Sequence, residues 1–369
     1  MREKFNMRVN WRESSGTNNS FAALYAACEK AGYELIPTKT PEEDVTCYSL
    51  NSINVSSLRD EIAHATCITI AGGPHATACY HEVASFTDYV VVGEGERTLP
   101  RLLACIESGA RGVPPGVATK DTFHPAEYCV ILNAFPPFST IKGYIEISRG
   151  CPFHCGYCQT PRIFGHRMRH RSIDTIVQYA ARYRDVRFVS PNAFAYGTSG
   201  HHPDTRTLEI LLRKIRGRIY FGTFPGEVRP ECIIPPILDL VVQYCANTKI
   251  HFGAQSGSDA VLAALRRGHA TSHVIQALDL CHEYGLTPIV DFIVGLPMET
   301  DQDQRDTLRM IQYAARFGQV HVHRFLPLPG TPLARTVPRS LLPEVDRTLG
   351  RLALSGALTG TWRYRDTIL

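Results

Sequence analysis

No stretch of this 369-residue chain approaches the run of about 18 apolar residues that a membrane-crossing helix needs. The first residues, Met1-Arg2-Glu3-Lys4-Phe5-Asn6, lack an apolar segment, so no secretion signal is expected. Charge imbalance is small too: a formal net charge of +4 does not by itself argue for nucleic acid. A disulfide framework is also missing. Twelve cysteines are present, but many lie scattered in apolar runs (Cys28, Cys67, Cys105, Cys245, Cys281), where free thiols act as small hydrophobes. That usage points to a reducing cytoplasm. No repeat of fixed period is visible beyond strand–helix alternation. The length allows two domains, and 44% hydrophobic with 20% charged residues is an ordinary globular profile.

Against this background one stretch stands out: Arg149-Gly150-Cys151-Pro152-Phe153-His154-Cys155-Gly156-Tyr157-Cys158. Its three cysteines can wrap three thiolates around one metal centre. The next cysteine, Cys232, is far along the chain, whereas tetrahedral zinc or a closed four-cysteine cluster would want a fourth close by. Three ligands from one loop suit a cubane 4Fe–4S cluster with one iron left for a non-protein ligand. The alternative is three buried thiols in a turn. Gly150, Pro152 and Gly156 mark an exposed loop instead.

Before this loop, apolar strands are expected over 7–12, 33–37, 45–50, 67–71 and 88–92. Helices are expected over 20–31, 55–65 and 97–108, and another after Gly72-Gly73-Pro74-His75. Continuous apolar strands between helices argue for a parallel sheet covered on both faces. Ligands of such sheets bind at the carboxyl strand ends, where Gly72-Gly73 and Gly93-Glu94-Gly95 fall. Residues 119–142, with Pro125, Pro136 and Pro137, read as a linker.

From Gly143 the alternation resumes. Six strands are expected over 144–148, 187–191, 218–223, 249–255, 288–294 and 320–326, with helices near 173–184, 204–216, 233–245, 258–283 and 301–317. Six units are fewer than a closed eight-fold barrel, and barrel chemistry sits at the C-terminal strand ends. There lie the cysteine loop, Glu227-Val228-Arg229-Pro230-Glu231, Gln255-Ser256-Gly257-Ser258 and Gly295-Leu296-Pro297. A helix over 341–354 and an extended tail over 356–363 read as a C-terminal extension capping the barrel. The basic run 162–171 is either a solvated face or a border of the site that holds an anionic or carbonyl-rich substrate.

The cysteine spacing, with Tyr157 before the last cysteine, resembles the signature loop of the radical S-adenosylmethionine (SAM) enzymes. With Gly72-Gly73-Pro74-His75 and Gly93-Glu94-Gly95 upstream, the chain resembles the cobalamin-dependent class B methyltransferases of that superfamily. The resemblance implies an α/β fold. A Rossmann-like cobalamin domain (1–118) and a linker (119–142) would precede a partial (β/α)6 radical SAM barrel (143–332) and a C-terminal extension (333–369). Cys151, Cys155 and Cys158 would ligate a 4Fe–4S cluster. Tyr157, Glu227, Arg229, Gln255 and Ser256 would contact SAM, with Arg229 on its carboxylate; otherwise Arg229 pairs with Glu227 or Glu231. Gly72, Gly73, Pro74, His75, Gly93, Glu94 and Gly95 would line the cobalamin site. The usual Asp-x-His-x-x-Gly is absent, since the turn after the first strand reads Trp11-Arg12-Glu13-Ser14-Ser15-Gly16. Cobalamin is therefore expected base-off.

Such enzymes use SAM both to methylate cobalamin and as the source of a 5′-deoxyadenosyl radical that activates an unactivated sp3 carbon. Thr223 to Glu231, Pro161-Arg162-Ile163-Phe164-Gly165 and the tail resemble an archaeal subgroup found in methanogens. One member methylates a glutamine of methyl-coenzyme M reductase. This implies a protein or peptide partner, the reductase alpha subunit, and a low-potential electron donor. Cobalamin-dependent cyclases, small-molecule methylases and a cobalamin or redox sensor are the rival readings. Methylthiolation would require a second three-cysteine set, and Cys28, Cys47, Cys67 and Cys79 are dispersed.

Overall fold

The computed structural model describes residues 7–363, so the polar start at 1–6 and the end of the expected extension, 364–369, lie outside the described residues. Two compact units form. One is Met1–Tyr144 with Arg162–Phe164; the other is Ile145–Pro161 with Gly165–Leu369.

The first unit holds a six-stranded sheet: β1 (Val9–Arg12), β2 (Leu35–Thr38), β3 (Val45–Ser49), β4 (Ile68–Gly72), β5 (Tyr89–Val91) and β6 (Val117–Ala118). The order is β2-β1-β3-β4-β5-β6. The first five are parallel, and β6 joins antiparallel. Every residue of β3 is buried, as a strand covered on both faces should be. One face packs Trp11, Tyr25, Tyr33 and Leu102, and the other packs Tyr48, Leu50, Leu58 and Val83. Helix Asn18–Ala31 stops at Gly32, whose φ of 99° places it in the left-handed region where glycine ends helices cheaply. The strand order reverses between β1 and β3, and open sheets of this kind bind ligands outside the carboxyl ends at that point.

The expected linker is instead part of this unit. Phe138 is fully buried, Phe123 packs on Tyr80 with ring centroids 4.5 Å apart, and the Tyr128 hydroxyl meets Thr98 Oγ1 at 2.6 Å. Aromatic side chains scattered through a proline-rich stretch anchor it, because each buries apolar area worth about 2 kcal/mol.

The second unit contains β7 (Ile145–Glu146), β8 (Ser148–Arg149), β9 (Arg169–His170), β10 (Asp185–Val189), β11 (Arg218–Tyr220), β12 (Lys249–Gln255), β13 (Thr287–Val294), β14 (Gln319–Arg324) and β15 (Leu358–Thr361). Parallel sheets β11-β10-β7 and β12-β13-β14-β15 meet beyond β11. There His251 N–H donates to Gly222 O (2.8 Å) and Val228 N–H donates to His251 O (2.9 Å). The six expected strands therefore follow one another in an open arc. Helices Thr271–Glu283 and Asp301–Ala314 cover Val290, Phe292, Val294, Val320 and Val322, all at most 3% exposed.

Two expectations change here. The tail does not cap the barrel: β15 pairs in parallel with β14 (Val320 beside Leu358), and helix Pro343–Leu354 is the crossover such a pair requires. Nor is 258–283 one helix. It splits into Asp259–Ala264 and Thr271–Glu283, with Arg266 (φ 53°) and Gly268 (φ 82°) turning the chain back between them.

Candidate functional site

β7 and β8 carry the chain into the cysteine loop. Arg149 at the end of β8 is buried and grips both oxygens of Glu146 (2.8 and 2.7 Å). Gly150 follows with φ 84°, where a Cβ would run into the Arg167 carbonyl, so only glycine lets the loop leave the β8–β9 pair here. The loop is then tied down at distant points. Cys151 N–H donates to Gly165 O (3.2 Å), Gly156 N–H to Leu265 O (2.9 Å), and Leu333 N–H to Gly156 O (3.2 Å). Cys155 is buried and its thiol faces Arg266 O at 3.8 Å, while Cys151 and Cys158 are half-buried. Burial pushes the Cys151 thiol up.

The turn between the split helices supplies what sequence reasoning missed. Arg267 spans from Cys155 Sγ (3.9 Å) to Gly253 O (3.1 Å). Burial opposes its charge, but Tyr157, Cys155 and Glu231 raise its pKa overall. Arg229, 3% exposed, lies over the Phe153 ring at 3.5 Å, pairs with Glu231 and donates to the Arg267 carbonyl. Burial and then Arg267 pull its pKa down. His269 is driven down to about 2 by burial, Arg267 and Arg229, so it is a neutral imidazole donating from Nε2 to Ala254 O (3.2 Å). Gly268 inside an otherwise helical run was the one signal in the sequence for this turn.

These residues fit the group that the cysteine spacing implies. Two arginines, both carrying atoms within the protein interior, face Glu231 and a thiol loop, an excess of positive charge that suits an anionic ligand. Arg267 Nε, Glu231 Oε2 and His269 Nδ1 are buried without hydrogen-bond partners, and His269 Nδ1 lies 3.6 Å from Glu231 Oε2. Such orphans call for a polar ligand.

The remaining expected SAM residues divide. Arg229 makes the Glu231 pair that was the alternative to a SAM carboxylate. Tyr157 packs against Val261, Leu265, Leu296 and Phe325, and burial keeps its hydroxyl neutral. Glu227 is half-buried, and burial and then Asp291 raise its pKa. Gln255 ends β12 with φ 69° beside a bulge at Gly253. Ser256 is fully buried; its Oγ meets Thr307 Oγ1 at 3.0 Å and accepts from Ser258 N–H at 3.2 Å. Its hydroxyl is thus used inside the protein, which corrects its expected place on the ligand. In the basic run, His170 sits between Ser148 Oγ (2.9 Å) and Thr198 O (2.7 Å), and Arg171 is 2% exposed and donates to Glu146 O. This part of the run is built into the fold and is not a solvated face.

In the first unit the two glycine turns do lie at the ends of β4 and β5. Gly73 (φ 94°) is required by packing, since a Cβ there would stand 2.7 Å from Leu50 O. A Cβ on Gly95 would stand 2.9 Å from Leu24, and one on Gly72 would make only ordinary contact with Val91. Gly93 (φ 85°) opens on free space. Pro74 starts the helix Gly73–Ala78. The Glu94 carboxylate accepts from Val130 N–H at 2.8 Å. His75 is buried with neither ring nitrogen hydrogen-bonded, and burial holds it neutral.

Residues 145–311 match the family model of the Radical SAM superfamily. The chain is 28% identical over 276 residues to a tRNA-2-methylthio-N(6)-dimethylallyladenosine synthase of Sulfurihydrogenibium sp. (strain YO3AOP1), covering 72% of this chain and 60% of that protein. It is 31% identical over 238 residues to the enzyme of the same name from Aquifex aeolicus (strain VF5), covering 61% and 53%. The chain thus spans less than two thirds of the length of these relatives. In fold it is similar to the radical SAM methyltransferase TsrM of Kitasatospora setae, solved with tryptophan and a SAM analogue (TM-score 0.69, 16% identity, 89% of this chain and 74% of that one). It is also similar to the cobalamin-dependent radical enzyme OxsB with aqua-cobalamin (TM-score 0.60, 16% identity, 83% and 52%). Among the described residues no helix is long and apolar enough to cross a membrane.

Proposed function

We propose that this chain is a cobalamin-dependent radical SAM methyltransferase that methylates an unactivated sp3 carbon. The observation that carries this reading is the three-cysteine loop, clamped at the mouth of an open parallel barrel beside Arg229 and Arg267. Cys151, Cys155 and Cys158 would hold a 4Fe–4S cluster, which when bound with SAM supplies one-electron cleavage of SAM, while cobalamin carries the methyl group. Arg267 places a cation 3.9 Å from the Cys155 sulfur. Phe153 and Arg229 cover one side of the loop. Glu231 and His269 offer unpartnered acceptors for a ligand's N–H groups. Cobalamin would take the carboxyl edge of the first unit's sheet, with Gly93 and His75 the expected contacts.

The proposed target is a glutamine of methyl-coenzyme M reductase, supported by the resemblance of Thr223 to Glu231. Methylthiolation, the chemistry in the names of the sequence relatives, is disfavoured. Cys28 and Cys47 are 0% and 2% exposed in the sheet core and give no room for a second cluster. Incubating anaerobic protein with SAM, methylcobalamin, reductant and a glutamine-containing reductase peptide tests both levels. Methylated peptide with S-adenosylhomocysteine and 5′-deoxyadenosine is expected. Turnover of SAM without peptide methylation would discard the target alone; absence of both products would discard the class.

A further inference from the structure

We propose that His251, Asp291 and His321 form a divalent transition-metal site on the inner face of the second unit, separate from the cysteine loop. The three come from adjacent strands β12, β13 and β14. Asp291 stands in register with His321 on one side and Gly253 on the other, and His251 lies one step along the same face. Residues of even number on these strands, as far as Val322, are buried beneath helices. On β13 and β14 the odd-numbered face is half-open: Ile289, Asp291, Ile293, Gln319 and His321 are only partly buried. A ligand can therefore reach this row.

The donor atoms converge. Asp291 Oδ1 lies 3.0 Å from His251 Nε2 and 3.3 Å from His321 Nδ1, and the three ligand atoms all fall within 4.8 Å of one another. Two imidazoles and one carboxylate are a donor set for first-row divalent ions such as Fe²⁺, Zn²⁺ and Co²⁺. Without an ion, one oxygen is shared: His251 Nε2 hydrogen-bonds to Asp291 Oδ1 and His321 Nδ1 lies 3.3 Å from the same atom.

A second group of possible ligands, His75, Cys79 and Glu82, occurs in the first unit. There Glu82 is exposed and already paired with Arg59 at 3.0 Å, so it serves as the control.

The test uses the full-length chain with Cys151, Cys155 and Cys158 replaced by Ala, stripped with chelator and titrated anaerobically with Co²⁺. About one Co²⁺ per chain with visible d–d bands and no thiolate charge-transfer band is expected. Adding His321→Ala, which removes a half-exposed ring and leaves the His251–Asp291 pair, should weaken binding at least about tenfold. Asp291→Asn should do the same, and His75→Ala should leave binding unchanged. No saturable binding, binding unaltered by His321→Ala and Asp291→Asn, or binding lost with His75→Ala would each overturn the proposal. The readout is independent of cluster, SAM and cobalamin, so its failure leaves the proposed function standing.

Discussion

Glu299 is a carboxyl group whose burial should be readable as a pH dependence of folding. It follows β13 in Gly295-Leu296-Pro297-Met298-Glu299 and is 2% exposed. Gly295 N–H donates to its Oε2 at 3.1 Å, and Oε1 is buried without a partner. Burial drives its pKa up from 4.5 to about 7, against the pull of the Gly295 N–H and Arg324. A carboxyl whose folded pKa lies above its unfolded one binds its proton more tightly when folded. Below the unfolded value both states hold the proton and the group adds no pH-dependent penalty; stability falls as pH rises from there to about 7, after which the loss is complete. Between pH 5 and pH 8 this amounts to about 2 to 3 kcal/mol. Glu299→Gln removes the titration while keeping an oxygen for Gly295 N–H. Urea unfolding of both chains at pH 5, 6, 7 and 8 isolates the effect, because every other titrating group is shared and cancels in the difference. Wild type should lose about 2 to 3 kcal/mol more than the variant across that interval. Parallel curves would refute the burial argument.

Gly150→Ala should lower the iron bound after anaerobic reconstitution, with circular dichroism little changed, because a Cβ at φ 84° meets the Arg167 carbonyl and displaces the cysteine loop; full iron loading would contradict this. Phe138→Ala should cost about 3–5 kcal/mol in denaturant unfolding, as expected of a fully buried ring; a loss below about 1 kcal/mol would mark 119–142 as a loose linker after all. Ser256→Ala should cost about 1 kcal/mol through its bonds to Thr307 and Ser258, and leave SAM affinity within about twofold. A tenfold loss in equilibrium dialysis would return Ser256 to the ligand.

The strands and most helices were legible because short apolar runs alternate with helical spacing, and glycines such as Gly32 punctuate them. What escaped depends on partners remote in sequence. β15 is a strand only because β14 offers an unpaired edge to Leu358–Thr361. Phe138 and Tyr128 reveal nothing of their burial within a proline-rich segment. The split of 258–283 was hidden because Val261, Leu262, Leu265, Val274, Ala277 and Leu278 keep apolar faces on both sides of Gly268. Arg267 and His269 were lost with it. The cysteines themselves were legible through spacing alone, whereas the Arg229–Glu231 pair was foreseen only as the plainer of two readings. His251, Asp291 and His321 stand on separate strands, and no local spacing connects them; register alone does.

That register also ties the two clusters of the second unit together. Arg267 reaches Cys155 with one nitrogen and the Gly253 carbonyl with another. Gly253 pairs directly with Asp291, which pairs with His321. Glu227 feels Asp291, His251, Arg267 and His321 together. The guanidinium groups of Arg229 and Arg267 therefore sit at the cysteine end, and Asp291 stands beside Gly253 in the neighbouring strand. Arg229 is held by Glu231, and breaking that buried pair would leave a charge unpartnered at a cost of several kcal/mol. A split helix that looked like an irregularity is thus what fixes the cysteine loop to the barrel's inner face: without the turn at Arg266–Gly268, Arg267 could not point at both.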